Sequence, residues 1–225
     1  MPRIARNAPG GMVFHVLNRR VDCQPLFRRD ADYLRFEEVL GEVSALVPIR
    51  ICAFCLMPNH WHLVLWPLCD GQLSKFMHRV TVTHAVRWKG HNDTVGQGHL
   101  YQNRFKSFPV QSDDHYLTVV RYVERNALRA KLVERAEEWR FSSLWRRRAR
   151  AVTEDPLLSS GPVDLPDDWH DYVNRPETEG ELEALRRSAR RGNPFGTETW
   201  QKQTARKLGL ESTYRRPGRP KKSTR

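Results

Sequence analysis

Hydrophobic and polar positions follow two different rhythms along the first half of the chain, and the switches between them mark its elements. Residues 11–19 (GMVFHVLNR) come after a Pro-Gly-Gly breaker and are rich in β-branched and aromatic side chains, which predicts a first strand. Tyr33, Leu34, Phe36, Val39, Leu40, Val43 and Leu46 recur at helical spacing behind an acidic start, so residues 30–47 read as an amphipathic helix that Pro48 ends. The runs IRICAFCLM (49–57) and HWHLVLW (60–66) read as strands, and Pro58-Asn59 joins them in a tight hairpin. A second helix is expected over 72–89, then a Gly-rich polar loop over 90–98 and a last strand near 104–110.

Strand, helix, strand, strand, helix, strand is the order of an α+β, ferredoxin-like split βαβ sandwich. It implies an antiparallel sheet with two helices on one face and the other face free for a ligand. A third helix, capped by Ser112 or Asp113 and running to about Val133, is expected on that sheet. Residues 152–168 shift to Pro, Ser, Gly and acidic side chains and read as a linker or surface loop. ELEALRRSARR and TETWQKQTARKLGL predict two short helices, and YRRPGRPKKSTR a disordered basic tail. The expected division is residues 1–150 as the main domain and 151–225 as a basic extension of linker, short helices and tail.

Charge narrows the class of partner. A net charge of +12 and a pI near 10 favour polyanions, nucleic acid first. No apolar run approaches the roughly 20 residues of a membrane helix, and the N-terminal residues lack a secretory pattern. A cytoplasmic, nucleoid-associated protein without a membrane partner is expected. Cys23, Cys52, Cys55 and Cys69 lie in the first third of the chain and are expected as free thiols in a reducing compartment.

The candidate chemistry begins with His60-Trp61-His62. Side chains two apart on a strand share a face, so both imidazoles can bind one metal while Trp61 turns to the core. Cys52, Cys55, His60 and His62 can also be grouped as a structural zinc site. The odd spacing of the two cysteines, however, puts them on opposite faces of a regular strand. On the third helix Tyr116, Val120, Val123, Ala127 and Ala130 make an apolar stripe, which makes Tyr116 the core tyrosine. Tyr122 and Asn126 lie one turn apart at its flank. A hydroxyl and an amide so placed can aim at one point, the first as nucleophile and the second as a hard metal ligand.

MPNHWHLVLWP, LYQNRFKSFPV and RYVERNALRAKLV, in that order and spacing, resemble the single-tyrosine His-hydrophobic-His transposases, IS200-like enzymes, and in particular the REP-associated tyrosine transposases of bacteria. DDWHDYVNRP, RRGNPFGTETW and GRPKK are similar to the C-terminal extension of that subfamily, so the resemblance runs from about Gly11 to Lys222. It implies a nuclease and strand-transfer enzyme in the main domain, with Mg2+ or Mn2+ held by His60, His62 and Asn126 and with Tyr122 as nucleophile. Single-stranded DNA beside a REP-like hairpin would be cut through a 5′-phosphotyrosine, with no nucleotide cofactor, by a monomer or a homodimer. Two departures stand out: Ala127 follows Asn126 where the family commonly has proline, and Arg20 follows Arg19 where it often has glycine.

Arg104, Lys106, Arg121 and Arg125 are the expected DNA contacts, joined by Arg219 in a tail similar to minor-groove hooks. A DNA-binding regulator that recognises hairpins without cutting them is the alternative function.

Overall fold

The structure is a computed structural model that describes residues 7–149 and 155–215. Arg219 and most of the expected disordered tail lie outside the described residues. The strands are β1 (Val13–Arg19), β2 (Arg50–Met57), β3 (His60–Trp66) and β4 (Lys106–Val110). They form one antiparallel sheet in the order β2-β3-β1-β4, and α1 (Asp30–Leu46) and α2 (Gln72–His91) complete the split βαβ sandwich.

The first face of the sheet packs on α1 and α2, whose apolar positions fall in phase. Tyr33, Phe36, Val39, Leu40 and Val43 of α1 meet Leu73, Phe76, Met77 and Val80 of α2 over Phe14, Val16, Phe54 and Trp61. At the start of α1 the Asp32 carboxylate accepts from the amides of Arg28 and Arg29 at 2.9 and 3.1 Å. Leu34 and Leu46, expected on the buried stripe, fall out of phase and are 37% and 66% exposed.

The second face is not free. It is covered by α3 (Asp114–Glu124), α4 (Asn126–Arg129), α5 (Ser143–Ala149), α6 (Trp169–Asn174) and α7 (Glu179–Arg191), which share a second core with Val64, Phe108 and Val110. The third helix is capped as expected, with the Asp113 carboxylate accepting from the His115 amide at 2.9 Å. It does not run to Val133. It breaks at Arg125, resumes at Asn126 and stops at Arg129. There Lys131 takes a left-handed φ of 58° and the Leu132 amide returns to the Ala127 carbonyl.

Cys52 and Cys55 also differ from expectation. The register of β2 against β3 slips between Ile51 and Ala53, a bulge that turns Cys52 to the face of Cys55. Both are free thiols in the second core, and burial raises them to about 11 and about 12. Among the described residues no three His, Cys, Asp or Glu side chains gather as a metal cage.

Residues 155–215 touch both cores. Leu157 and Leu158 are buried in the first, the Ser159 amide donates to the Ile51 carbonyl, and Trp169, Val173, Leu182, Leu185 and Phe195 enter the second. Phe195 bridges Val110 in parallel, with α8 (Glu198–Leu208) beyond it. No helix among the described residues is long and apolar enough to cross a membrane.

Candidate nuclease site

Where β3 begins, beside the α3–α4 break, a cleft of about 360 Å³ opens on the second face. His60, His62, Tyr122 and Asn126 all line it, with Arg104 and Lys106 of the predicted DNA contacts. The alternation of β3 explains the histidines. His60 and His62 project to the cleft with ring centroids 5.0 Å apart, and Trp61 between them is fully buried in the first core. Tyr116 is core, as helical phase predicts, whereas Tyr122 reaches the cleft edge-on to His62 at 6.0 Å between centroids.

Both imidazoles are held through Nδ1. His60 Nδ1 lies 2.5 Å from Asn59 Oδ1, and His62 Nδ1 lies 2.9 Å from Nε2 of His15 on β1. Their Nε2 atoms are thereby left for another partner. Burial, reinforced by the charges of Arg19 and Arg129, lowers His60 to about 4. His62 is held well below the usual histidine range, by burial first and then by His15 and His60. At neutral pH both rings are uncharged, and each has one nitrogen with an available lone pair once its proton sits on Nδ1.

His15 is fully buried and lowered to about 3, mainly by burial. Its Nδ1 has no hydrogen-bond partner. If His62 offers Nε2 as an acceptor, its Nδ1–H must donate to His15 Nε2, and His15 carries its own proton on that unpartnered Nδ1. The Asn126 side chain is likewise 7% exposed, and its Nδ2 has no partner. An unsatisfied buried amide beside two neutral imidazoles could hold a hard divalent ion, with the amide oxygen as a third ligand after a flip of the amide.

Cations dominate the rest of the cleft. Arg19, Arg104, Lys106, Arg129, Arg186 and Arg190 line it and no carboxylate does. The Arg129 guanidinium stacks 4.1 Å from the Tyr122 ring centroid and donates to the Tyr122 carbonyl and to Glu177.

Arg121 and Arg125 do not line this cleft. Arg121 is 5% exposed and donates to the carbonyls of Arg175 and Pro176, with its guanidinium over Tyr172. Arg125 donates to the carbonyls of Val173 and Asn174 and pairs with Glu177 at 3.4 Å. Both fasten the helix that carries Tyr122 to the end of α6 and the residues just after it, a partner that the helix's own sequence does not reveal. Arg129 was legible in principle. At 100° per residue it returns to within about 20° of the direction of Tyr122, whereas Arg121 lies about 100° away. His15, Arg186 and Arg190 reach the site only through strand pairing and tertiary packing, and no local signal marks them.

Residues 11–126, just over half of the chain, match the family model described as "Transposase IS200 like". Among solved structures the fold is similar to a REP-associated tyrosine transposase bound to a REP hairpin, with a TM-score of 0.54 and 21% identity over 73% of this chain and 95% of that one. It is also similar to a putative transposase from Deinococcus radiodurans R1, with a TM-score of 0.40 and 14% identity over 55% of this chain and 93% of that one. No curated protein matches. The histidine pair, the tyrosine and Asn126 thus all sit within the matched segment, and the chain belongs to the IS200-like transposase family.

Proposed function

We propose that this transposase cuts and rejoins single-stranded DNA with Tyr122 as nucleophile and a divalent metal as cofactor. The observation that carries the proposal is the meeting, in one cation-lined cleft, of two uncharged imidazoles, an unsatisfied amide and a tyrosine. His60 Nε2, His62 Nε2 and the Asn126 oxygen would hold Mg2+ or Mn2+. When bound, that ion supplies Lewis-acid polarisation of the scissile phosphate.

The protein's own groups do the rest. Asn59 and His15 keep the two imidazoles in one tautomer and orientation. Arg129, against the tyrosine ring, places a positive charge beside the phenol. Arg104 and Lys106 draw the phosphodiester chain into the cleft. The Tyr122 oxygen then bonds to phosphorus as the bond to the 3′ oxygen breaks. The phenol gives up its proton, the departing 3′ oxygen gains one, and the 5′ phosphate stays on the tyrosine. A second 3′ hydroxyl reverses the exchange, and no nucleotide is consumed because the phosphoester bond is conserved. The hairpin held by the solved relative supports a hairpin-bearing strand as substrate.

Incubation of the full chain with labelled hairpin-bearing single strands and Mg2+ or Mn2+ tests this. A covalent protein–DNA adduct is expected from wild type and from no Tyr122→Phe sample. Tight binding without an adduct on any such strand would make the protein the non-cleaving hairpin-binding regulator. An adduct that persists in Tyr122→Phe would remove the tyrosine from the role.

A further inference from the structure

Helix α7 lies beyond the residues that match the family, yet it forms one wall of the cleft. Arg186 and Arg190, one turn apart, and Ala189 between them face the same space as Tyr122. We propose that Arg186 and Arg190 are a phosphate-binding pair that grips the single-stranded DNA backbone from the α7 wall of the cleft. The inference rests on the reading of the cleft as a DNA site.

The position of the helix is fixed at both ends. Before it, Glu177 is clamped by Arg125 and Arg129, and Thr178 caps the first turn with Glu181 in a capping box. After it, Gly192 takes a φ of 80° and reverses the chain, so that Phe195 bonds on either side of Val110: its amide to the Pro109 carbonyl and its carbonyl to the Gln111 amide, each at 2.9 Å. Leu182, Leu185 and Ser188 are buried beneath. A rigid helix thus presents two guanidiniums to a cleft without a carboxylate, and neither has an ion-pair partner among the described residues. Their neighbour Arg187 is different: it does not line the cleft and pairs with Glu183 at 3.3 Å. Guanidiniums left unpaired on a fixed scaffold suit phosphate oxygens, which they can meet in a bidentate manner. The small side chain of Ala189 leaves room for the strand between them.

Fluorescence anisotropy of a labelled oligo-dT strand, read with the full chain over a series of salt concentrations, is the test. Each phosphate contact on a single strand contributes about 0.7 to the slope of log affinity against log salt, so Arg186→Gln with Arg190→Gln is expected to reduce that slope by about 1.4. Lysine at both positions should retain it, and Arg187→Gln should leave it unchanged. A full slope in the double glutamine variant overturns the proposal, and so does an equal loss in Arg187→Gln, because bulk charge would then be the cause. If Arg104→Gln with Lys106→Gln lowers the slope while the α7 pair does not, only the α7 wall fails. If wild type shows no salt-dependent binding at all, the DNA site itself falls.

Discussion

The two faces of the sheet are built by different means. The face under α1 and α2 is closed mainly by aromatic and aliphatic side chains, with isolated buried polar contacts such as Trp88 donating to the Leu26 carbonyl at 2.7 Å. The face under α3 and α4 is stitched. Glu124, fully buried, accepts from Ser143, Arg147 and Trp169, while Arg121 and Arg125 reach backbone carbonyls at the end of α6 and just after it. Buried polar groups need specified partners, so such a face holds its side chains in defined places at a cost in desolvation. The cleft lies on that face.

Substitutions can break or sharpen this contrast. The largest loss is expected from Trp61→Ala on the apolar face, about 3–5 kcal/mol in urea unfolding, because a large buried side chain leaves a cavity. Glu124→Gln on the stitched face should cost about 3 kcal/mol by leaving Arg147 unpaired in the interior, and adding Arg147→Met should recover most of it. No second substitution of that kind should rescue Trp61→Ala; failure of the Arg147→Met rescue would erase the distinction between the faces.

His15→Phe keeps a ring in place but removes the partner of His62. Mn2+ affinity by calorimetry should fall about 10–100-fold while the unfolding midpoint moves little. Unchanged affinity would reduce His15 to packing.

A pH effect is smaller when read per pH unit. His84, buried beside Tyr101 on the apolar face, is lowered to about 3 by burial. The unfolded chain therefore takes up a proton near pH 6.5 that the folded chain refuses until about 3. Stability is complete above 6.5 and falls as pH drops through that window, by about 1.4 kcal/mol per pH unit for such a group. His84→Phe should flatten the pH dependence by that slope, measured in chelator to keep the proposed metal site empty. A dependence left unaltered would mean that His84 titrates alike in both states. The smallest change is expected from Arg87→Gln, whose 2.7 Å bridge to Glu42 is exposed on both sides and should leave the urea midpoint where it was.

The contrast also governs what can be read from sequence. Periodicity places β1, α1, β2, β3 and α2 within a few residues, because an apolar face repeats with its element, and it separates Tyr116 from Tyr122 correctly. His60 and His62 follow from strand alternation alone. The bulge at Cys52 breaks that alternation without any proline or glycine to announce it. Arg121 and Arg125 mislead for another reason: a basic side chain on a helix reads alike whether it meets a phosphate or a carbonyl of its own chain. The partners of these two arrive about 50 residues later, and only the folded structure names them.

That separation along the chain also has a meaning in time. Ribosomes add roughly 5–20 residues per second, N-terminus first, so the carbonyls that receive Arg121 and Arg125 emerge roughly 2–10 s after those arginines. All four strands, α1 and α2 are complete by Val110, and the apolar layer can assemble while the chain is still growing. The stitched layer must wait for residues 169–177 before Glu124 and the arginines find their partners. The nascent protein therefore acquires its sheet and its histidine pair first, and its finished cleft last.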